Sequence, residues 1–249
     1  MKTVTPLLFA LGTTLSQAGE ARAAERGNVD IETGVVVSSY NDVAIPGDTG
    51  TRISLTDDLS ADPGVFYRFQ GVLRLGERHA LRALYAPLTL SATGTLERDL
   101  SYVDTTFPAG TPVEAYYQFN SYRLTYRYSV WLDGLEELAV GFTAKIRDAR
   151  VSLVGGGIAE EYTNVGFVPL LHGLGRLPLS DVWGLLIEVD ALAAPQGRAE
   201  DVLAAVTLRA TRSVTLRLGY RMVEGGADND KVYTFTWLHY GVVGATSRF

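Results

Sequence analysis

Cysteine is missing from the 249 residues, which excludes a disulfide framework, a thiolate metal site and a cysteine nucleophile. Histidine is nearly as scarce, with three copies, so few imidazoles are on hand for acid–base work or metal ligation. No apolar run beyond the N-terminus reaches the roughly 18 residues that a spanning helix needs. A membrane crossing would therefore have to be made by strands closed into a barrel. Helical periodicity is close to absent and two-residue alternation takes its place. No linker rich in Pro, Gly or Ser divides the chain, so one domain is expected. Acidic residues outnumber basic ones, 28 to 22, a balance that argues against a nucleic-acid partner.

What is present begins with MKTVTPLLFALGTTLSQAGEARAAERG. One lysine, an apolar core from Val4 to Leu15 and the small-residue site Ala21-Arg22-Ala23 match a secretory signal cleaved before Ala24. Residues 1–23 are thus expected to be a signal peptide and residues 24–249 a single domain. Losing Lys2, Arg22 and Glu20 would leave the mature chain slightly more acidic.

From Asn28 onward the chain reads as ten strands: 28–40, 65–75, 79–96, 114–132, 138–153, 162–179, 183–193, 201–210, 214–223 and 231–249. The clearest places Tyr122, Leu124, Tyr126, Tyr128 and Val130 on one face and Ser121, Arg123, Thr125, Arg127 and Ser129 on the other. Connections sort by parity. GER, DGLEE, SDV and TRS are short turns at one end, whereas Asn41–Gly64 and Glu97–Pro112 are long excursions at the other. Short periplasmic turns facing longer extracellular loops are the habit of an outer-membrane barrel. The expected fold is all-β, an antiparallel up-and-down transmembrane barrel of about ten strands, or eight if neighbouring segments merge.

The chain ends in KVYTFTWLHYGVVGATSRF, with Tyr233, Phe235, Trp237, His239, Gly241 and Val243 alternating towards Phe249. This stretch resembles the closing strand and C-terminal insertion signal of Gram-negative outer-membrane β-barrel proteins, with Ser247 where an apolar residue is more usual. GYRMVEGGADNDKVYTFTWLHYGVVG resembles the closing hairpin of the same proteins. The resemblance implies the cell outer membrane as location, insertion by the barrel-assembly machinery, and Trp237 and Phe249 as parts of the insertion signal.

Alternation assigns Arg68, Arg74, Arg82, Arg123, Arg127, Lys145, Arg147, Arg209, Arg217 and Arg221 to the lumen against the acids Glu188, Asp190 and Asp201. Such a surplus needs an offset. Water, a bound small anion, or the aspartates of the first loop folding inward would supply it. Glu188, Asp190 and Asp201 read as ion-pair partners of arginines such as Arg209 and Arg217 rather than as a general acid/base pair. His79 falls at the periplasmic rim, His172 in the lumen and His239 on the lipid face, and no Ser, His and carboxylate converge by parity. One family of outer-membrane lipid A deacylases uses a His-x-Ser pair; His239-Tyr240-Gly241 has glycine at the nucleophile position. Outer-membrane proteases carry aspartates and a histidine at the extracellular rim, where this register places no histidine. Asp57, Asp58 and Asp62 lack calcium-loop spacing, so no metal and no cofactor is expected.

The function these residues suggest is an integral outer-membrane barrel, monomeric and in contact with lipid and lipopolysaccharide. Its basic lumen would serve structurally or as a narrow anion-favouring passage. The alternatives are an outer-membrane enzyme acting on lipid A or peptides, and a periplasmic lipocalin-like binder with Tyr122, Tyr126 and Tyr128 turned inward.

Overall fold

The computed structural model describes residues 26–195 and 197–249; the expected signal peptide lies outside them. The strands in chain order are β1 (Gly27–Ala44), β2 (Ile53–Ser54), β3 (Ser60–Ala61), β4 (Gly64–Arg74), β5 (His79–Ala86), β6 (Thr89–Thr95), β7 (Leu100–Tyr102), β8 (Thr105–Phe107), β9 (Pro112–Asp133), β10 (Glu136–Gly155), β11 (Ile158–Pro178), β12 (Trp183–Ala194), β13 (Gly197–Arg209), β14 (Val214–Asn229) and β15 (Val232–Arg248). Ten wall strands form a closed antiparallel barrel. They are β1, β4, β5 continued by β6, and β9 to β15. Pro87 interrupts the third wall strand where a missing N–H cannot serve the ladder, yet both halves pair with β9. β1 against β15 and β9 against β10 complete the ring, so no wall edge is left unpaired over those spans.

Alternation decides the two faces. Val35, Tyr67, Tyr122, Leu124, Tyr126, Phe142, Phe167, Ile187 and Leu218 are exposed, while Arg68, Arg82, Arg123, Arg127, Glu188 and Arg217 are buried. Apolar outside and charged inside is the pattern of a wall in lipid. Tyr122, Tyr126 and Tyr128 stand on the outside, which removes the lipocalin-like arrangement.

The wall is uneven. β9, β10 and β11 run to 22, 20 and 21 residues, but β4, β12 and β13 only to 11, 12 and 13. The sequence suggested a gap between Leu153 and Tyr162; instead β10 and β11 continue to a two-residue turn. Gly156 and Gly157 supply it with φ of 59° and 82°, the left-handed conformation a tight hairpin requires. The rim carrying the long excursions is called the loop rim below, and the rim with short connections at 75–78, 134–135, 179–182 and 210–213 the turn rim.

The excursions are not open loops. β2 pairs with the end of β1, β3 pairs with β6, and β7 with β8 form a hairpin. Ile45, Ile53, Leu55 and Leu59 from the first excursion pack with Leu96, Leu100, Tyr102 and Phe107 from the second. Both rest on Val113, Tyr117, Val151 and Leu153 of the tall wall. Backbone bonds stitch the two together, Thr51 N to Ser101 O at 2.9 Å and Val103 N to Ile45 O at 2.8 Å. The result is an apolar cap across the loop rim.

Candidate functional site

The mid-lumen is occupied by a continuous lattice of arginines and carboxylates. Arg217 on β14 contacts Asp30 at 2.7 Å and Glu32 at 2.9 Å, both from β1. Arg221 grips the two oxygens of Glu32 at 2.8 and 3.0 Å and also pairs with Asp201 on β13. Arg68 of β4 and Arg123 of β9 reach the other oxygen of Asp201 at 3.0 and 2.7 Å. Arg123 bridges on to Asp190 of β12 at 2.8 Å, where Arg82 of β5 joins at 2.6 Å and also pairs with Glu188. Thr143 Oγ1 donates to Asp190 at 2.8 Å, and His172 Nδ1 lies 2.8 Å from the same oxygen. Planar guanidinium forks suit such multidentate pairing.

Asp30 and Glu32 alter the expected charge balance. Alternation from Val29 and Ile31 sends both inward, and both are buried. Within the lattice Arg68, Arg82, Arg123, Arg217 and Arg221 are matched by Asp30, Glu32, Glu188, Asp190 and Asp201, so no surplus of positive charge remains there. The partners of Glu188 and Asp190 are Arg82 and Arg123, in place of the Arg209 and Arg217 that the sequence suggested. Arg127 is buried beside the lattice with Nε and Nη2 lacking hydrogen-bond partners. Near the turn rim, Glu137 accepts from Ser129 Oγ at 2.6 Å and pairs with Arg176.

The remaining basic residues face two cavities. One, of about 350 Å³, lies towards the loop rim and is lined by Tyr117, Phe119, Lys145, Arg147 and Tyr162; Lys145 Nζ sits 4.7 Å from the centre of the Phe119 ring. The other, of about 330 Å³, opens at the turn rim among Arg74, Arg176, Arg209 and Arg217. The two share no lining residue. The first-loop aspartates do not reach inward to any of these cations: Asp42 pairs with Arg52, and Asp58 with Arg98 at 3.2 Å, at the exposed edge of the cap. Apolar side chains, not acids, carry that loop into the barrel mouth. Burial pushes the Tyr102 hydroxyl above the ordinary phenol range, helped by Glu160 and Glu161, and it donates as a neutral group to Val151 O at 2.9 Å.

Among the described residues, His172, Glu188 and Asp190 bring possible metal ligands within 4.8 Å of one another. Both carboxylates already face guanidinium groups of Arg82 and Arg123, and a cation placed there would meet their charge at contact range. Of the other histidines, His79 lies 2.7 Å from the Tyr126 hydroxyl at the turn rim. His239 is different. On the outer wall its Nε2 lies 2.6 Å from Ser39 Oγ, and its Nδ1 contacts the Tyr220 hydroxyl. Parity turns all three outward but does not give the β1–β15 register, which a bulge between Ser38 and Tyr40 shifts.

Of the expected insertion-signal residues, Phe249 ends the wall exposed to 63% and exchanges backbone bonds with Arg26 and Gly27. Trp237 stands on the outer face against Tyr40 and His239, with ring centres 6.0 and 4.8 Å apart.

The closed antiparallel ring, its apolar outside and its charged inside define a membrane-spanning β-barrel. No family model and no curated relative matches the chain. Among solved structures, the outer membrane protease OmpT from Escherichia coli aligns at 12% identity over 90% of this chain and 97% of that chain, with a TM-score of 0.56. The transport unit of the autotransporter AIDA-I from Escherichia coli aligns at 8% identity over 96% and 98%, with a TM-score of 0.49. Ail of Yersinia pestis aligns at 9% identity over 90% and 99%, with a TM-score of 0.41. At such identities the likeness is one of fold: this chain has the barrel of outer-membrane proteins.

Proposed function

We propose that the protein is a monomeric outer-membrane barrel with a sealed lumen, a structural element of the envelope and not a passage. The observation that carries this reading is the charge-matched lattice spanning β1, β4, β5, β9, β12, β13 and β14. It separates the two cavities, and the apolar cap packs into the loop rim above it. In this orientation the loop rim faces lipopolysaccharide and the turn rim the periplasm. The narrow anion-favouring passage would need positive charge left in water. The pairing of Asp30 and Glu32 with Arg217 and Arg221 argues against that condition at mid-lumen.

The test is conductance of the purified protein in planar bilayers. The wild-type chain is expected to be silent, and to stay silent when residues 46–62 are replaced by a short Gly/Ser linker, because the lattice remains. Steady anion-selective current through the wild type would overturn the sealed reading in favour of the passage.

A further inference from the structure

Lipid-facing walls seldom carry polar side chains, and ionisable groups there signal function by default. On this barrel three polar groups meet on the outer face of three adjacent strands. Ser39 comes from β1, His239 from β15 and Tyr220 from β14. Ser39 and Tyr220 are exposed and His239 is half-buried. The bulge explains the meeting. Ser38 pairs with Leu238 and Tyr40 with Trp237, so Ser39 is the extra residue, and its hydroxyl is re-aimed towards the ring of His239. Tyr220 and Trp237 flank that ring at centroid distances of 5.9 and 4.8 Å and hold its orientation.

The order serine hydroxyl, Nε2, Nδ1, tyrosine oxygen is that of an activated nucleophile, its base and an orienting group. With the proton on Nδ1 donated to the Tyr220 oxygen, Nε2 is free to accept the Ser39 proton. Tyr40, Trp237, Phe235 and Tyr233 mark the height of the trio as the aromatic girdle on the loop-rim side. Girdle residues sit at the boundary between acyl chains and head groups, where the ester carbonyls of membrane lipids lie and water is present.

We propose that Ser39, His239 and Tyr220 form an acyl-ester hydrolase site on the outside of the barrel, acting on an ester-linked acyl chain of a membrane lipid. Ser39 Oγ attacks the ester carbonyl carbon as its proton passes to His239 Nε2. The carbon–oxygen bond to the alcohol breaks, and the alcohol leaves with that proton. Water then attacks the acyl-serine and gives a proton to Nε2; the acyl carbon–Oγ bond breaks, and Oγ recovers the proton as the free acid departs. Ser39 and His239 are catalytic residues in this scheme, and Tyr220 is a positioning residue.

The experiment uses the full chain in vesicles of phosphatidylethanolamine and phosphatidylglycerol, with and without lipopolysaccharide, and measures released fatty acid by mass spectrometry. A fluorophosphonate probe is expected to label Ser39. Ser39→Ala and His239→Ala should each lower release by about 100-fold or more, while Ser247→Ala, on the outer face near the other end of β15, leaves it unchanged. Tyr220→Phe should lower kcat with KM preserved and shift the pH profile, which a merely structural tyrosine would not do. Release from phospholipid alone, or only with lipopolysaccharide present, supports the site and identifies its substrate. Absence of release from both lipids, or release that persists in folded Ser39→Ala, overturns it. Heat-modifiable gel mobility certifies folding of each variant, and bilayer conductance reports separately on the sealed lumen.

Discussion

The lumen is filled twice, by opposite means. At mid-height it is filled by charges fixed to the wall itself, where Arg68, Arg82, Arg123, Arg217 and Arg221 each touch carboxylates from other strands. At the loop rim it is filled by Ile45, Ile53, Leu59, Leu100 and Phe107, brought in on chain that leaves the wall and returns. The charged part depends on completeness, because the cost of burying ions is repaid only when every partner is present. The apolar part is graded, since each methylene contributes by itself. Loss of one group should therefore be disproportionate in the first region and proportionate in the second.

Asp201→Ala is the largest expected break. Its two oxygens serve Arg68, Arg123 and Arg221, and all three guanidinium groups would lose a buried partner together. Breaking a buried pair costs about 3–5 kcal/mol, and a shared acid lies at the upper end. Urea unfolding in lipid vesicles, followed by tryptophan fluorescence, measures it. A cost below about 1 kcal/mol would mean that water enters the lattice freely, and the contrast between the two regions would collapse.

In the cap, Ile53→Val removes one methylene from a side chain that is 2% exposed. The expected cost is about 0.5–1.5 kcal/mol, with conductance still silent because the lattice lies beneath. Protease susceptibility of the loop rim should rise modestly and in proportion. A collapse of the whole barrel from this single methylene would show that cap and lattice fold as one unit.

How much of this was legible follows the same division. Tyr122 to Val130 alternate so regularly that wall, faces and strand number could be read from sequence, because a period of two in a closed barrel leaves only two choices of face. The acids Asp30 and Glu32 obey that parity as well, alternating with Val29 and Ile31, so a count of the arginine-rich strands alone overstates the positive charge of the lumen. The cap was not legible. Its aspartates are conspicuous, whereas Ile45, Ile53, Leu55 and Leu59 follow no period, since the chain that carries them is mostly irregular. Ser39 and His239, 200 residues apart, share the outer face by parity, but the bulged cross-strand register that brings them together is not specified by alternation.

The smallest expected effect tests the outer edge of the cap, where charge and exposure coincide. Arg52 pairs with Asp42 and lies 4.4 Å above the Tyr233 ring, but its side chain is 56% exposed. Removing it by Arg52→Gln leaves Asp42 at the rim, where water can replace the lost partner. An exposed pair contributes about 0–1 kcal/mol, and the cation over the ring adds a comparable amount. The total should come to about 1 kcal/mol and should shrink as sodium chloride is raised from about 0.1 to about 1 M, where the screening length falls to about 3 Å. Asp201→Ala should not respond to salt in this way, because its neighbours are sealed from the ions. The pair of variants, measured at both salt concentrations, thus separates charge held in water from charge held in the lattice. Equal salt sensitivity in the two would place Asp201 in contact with solvent and open the lumen to the passage that its burial argues against.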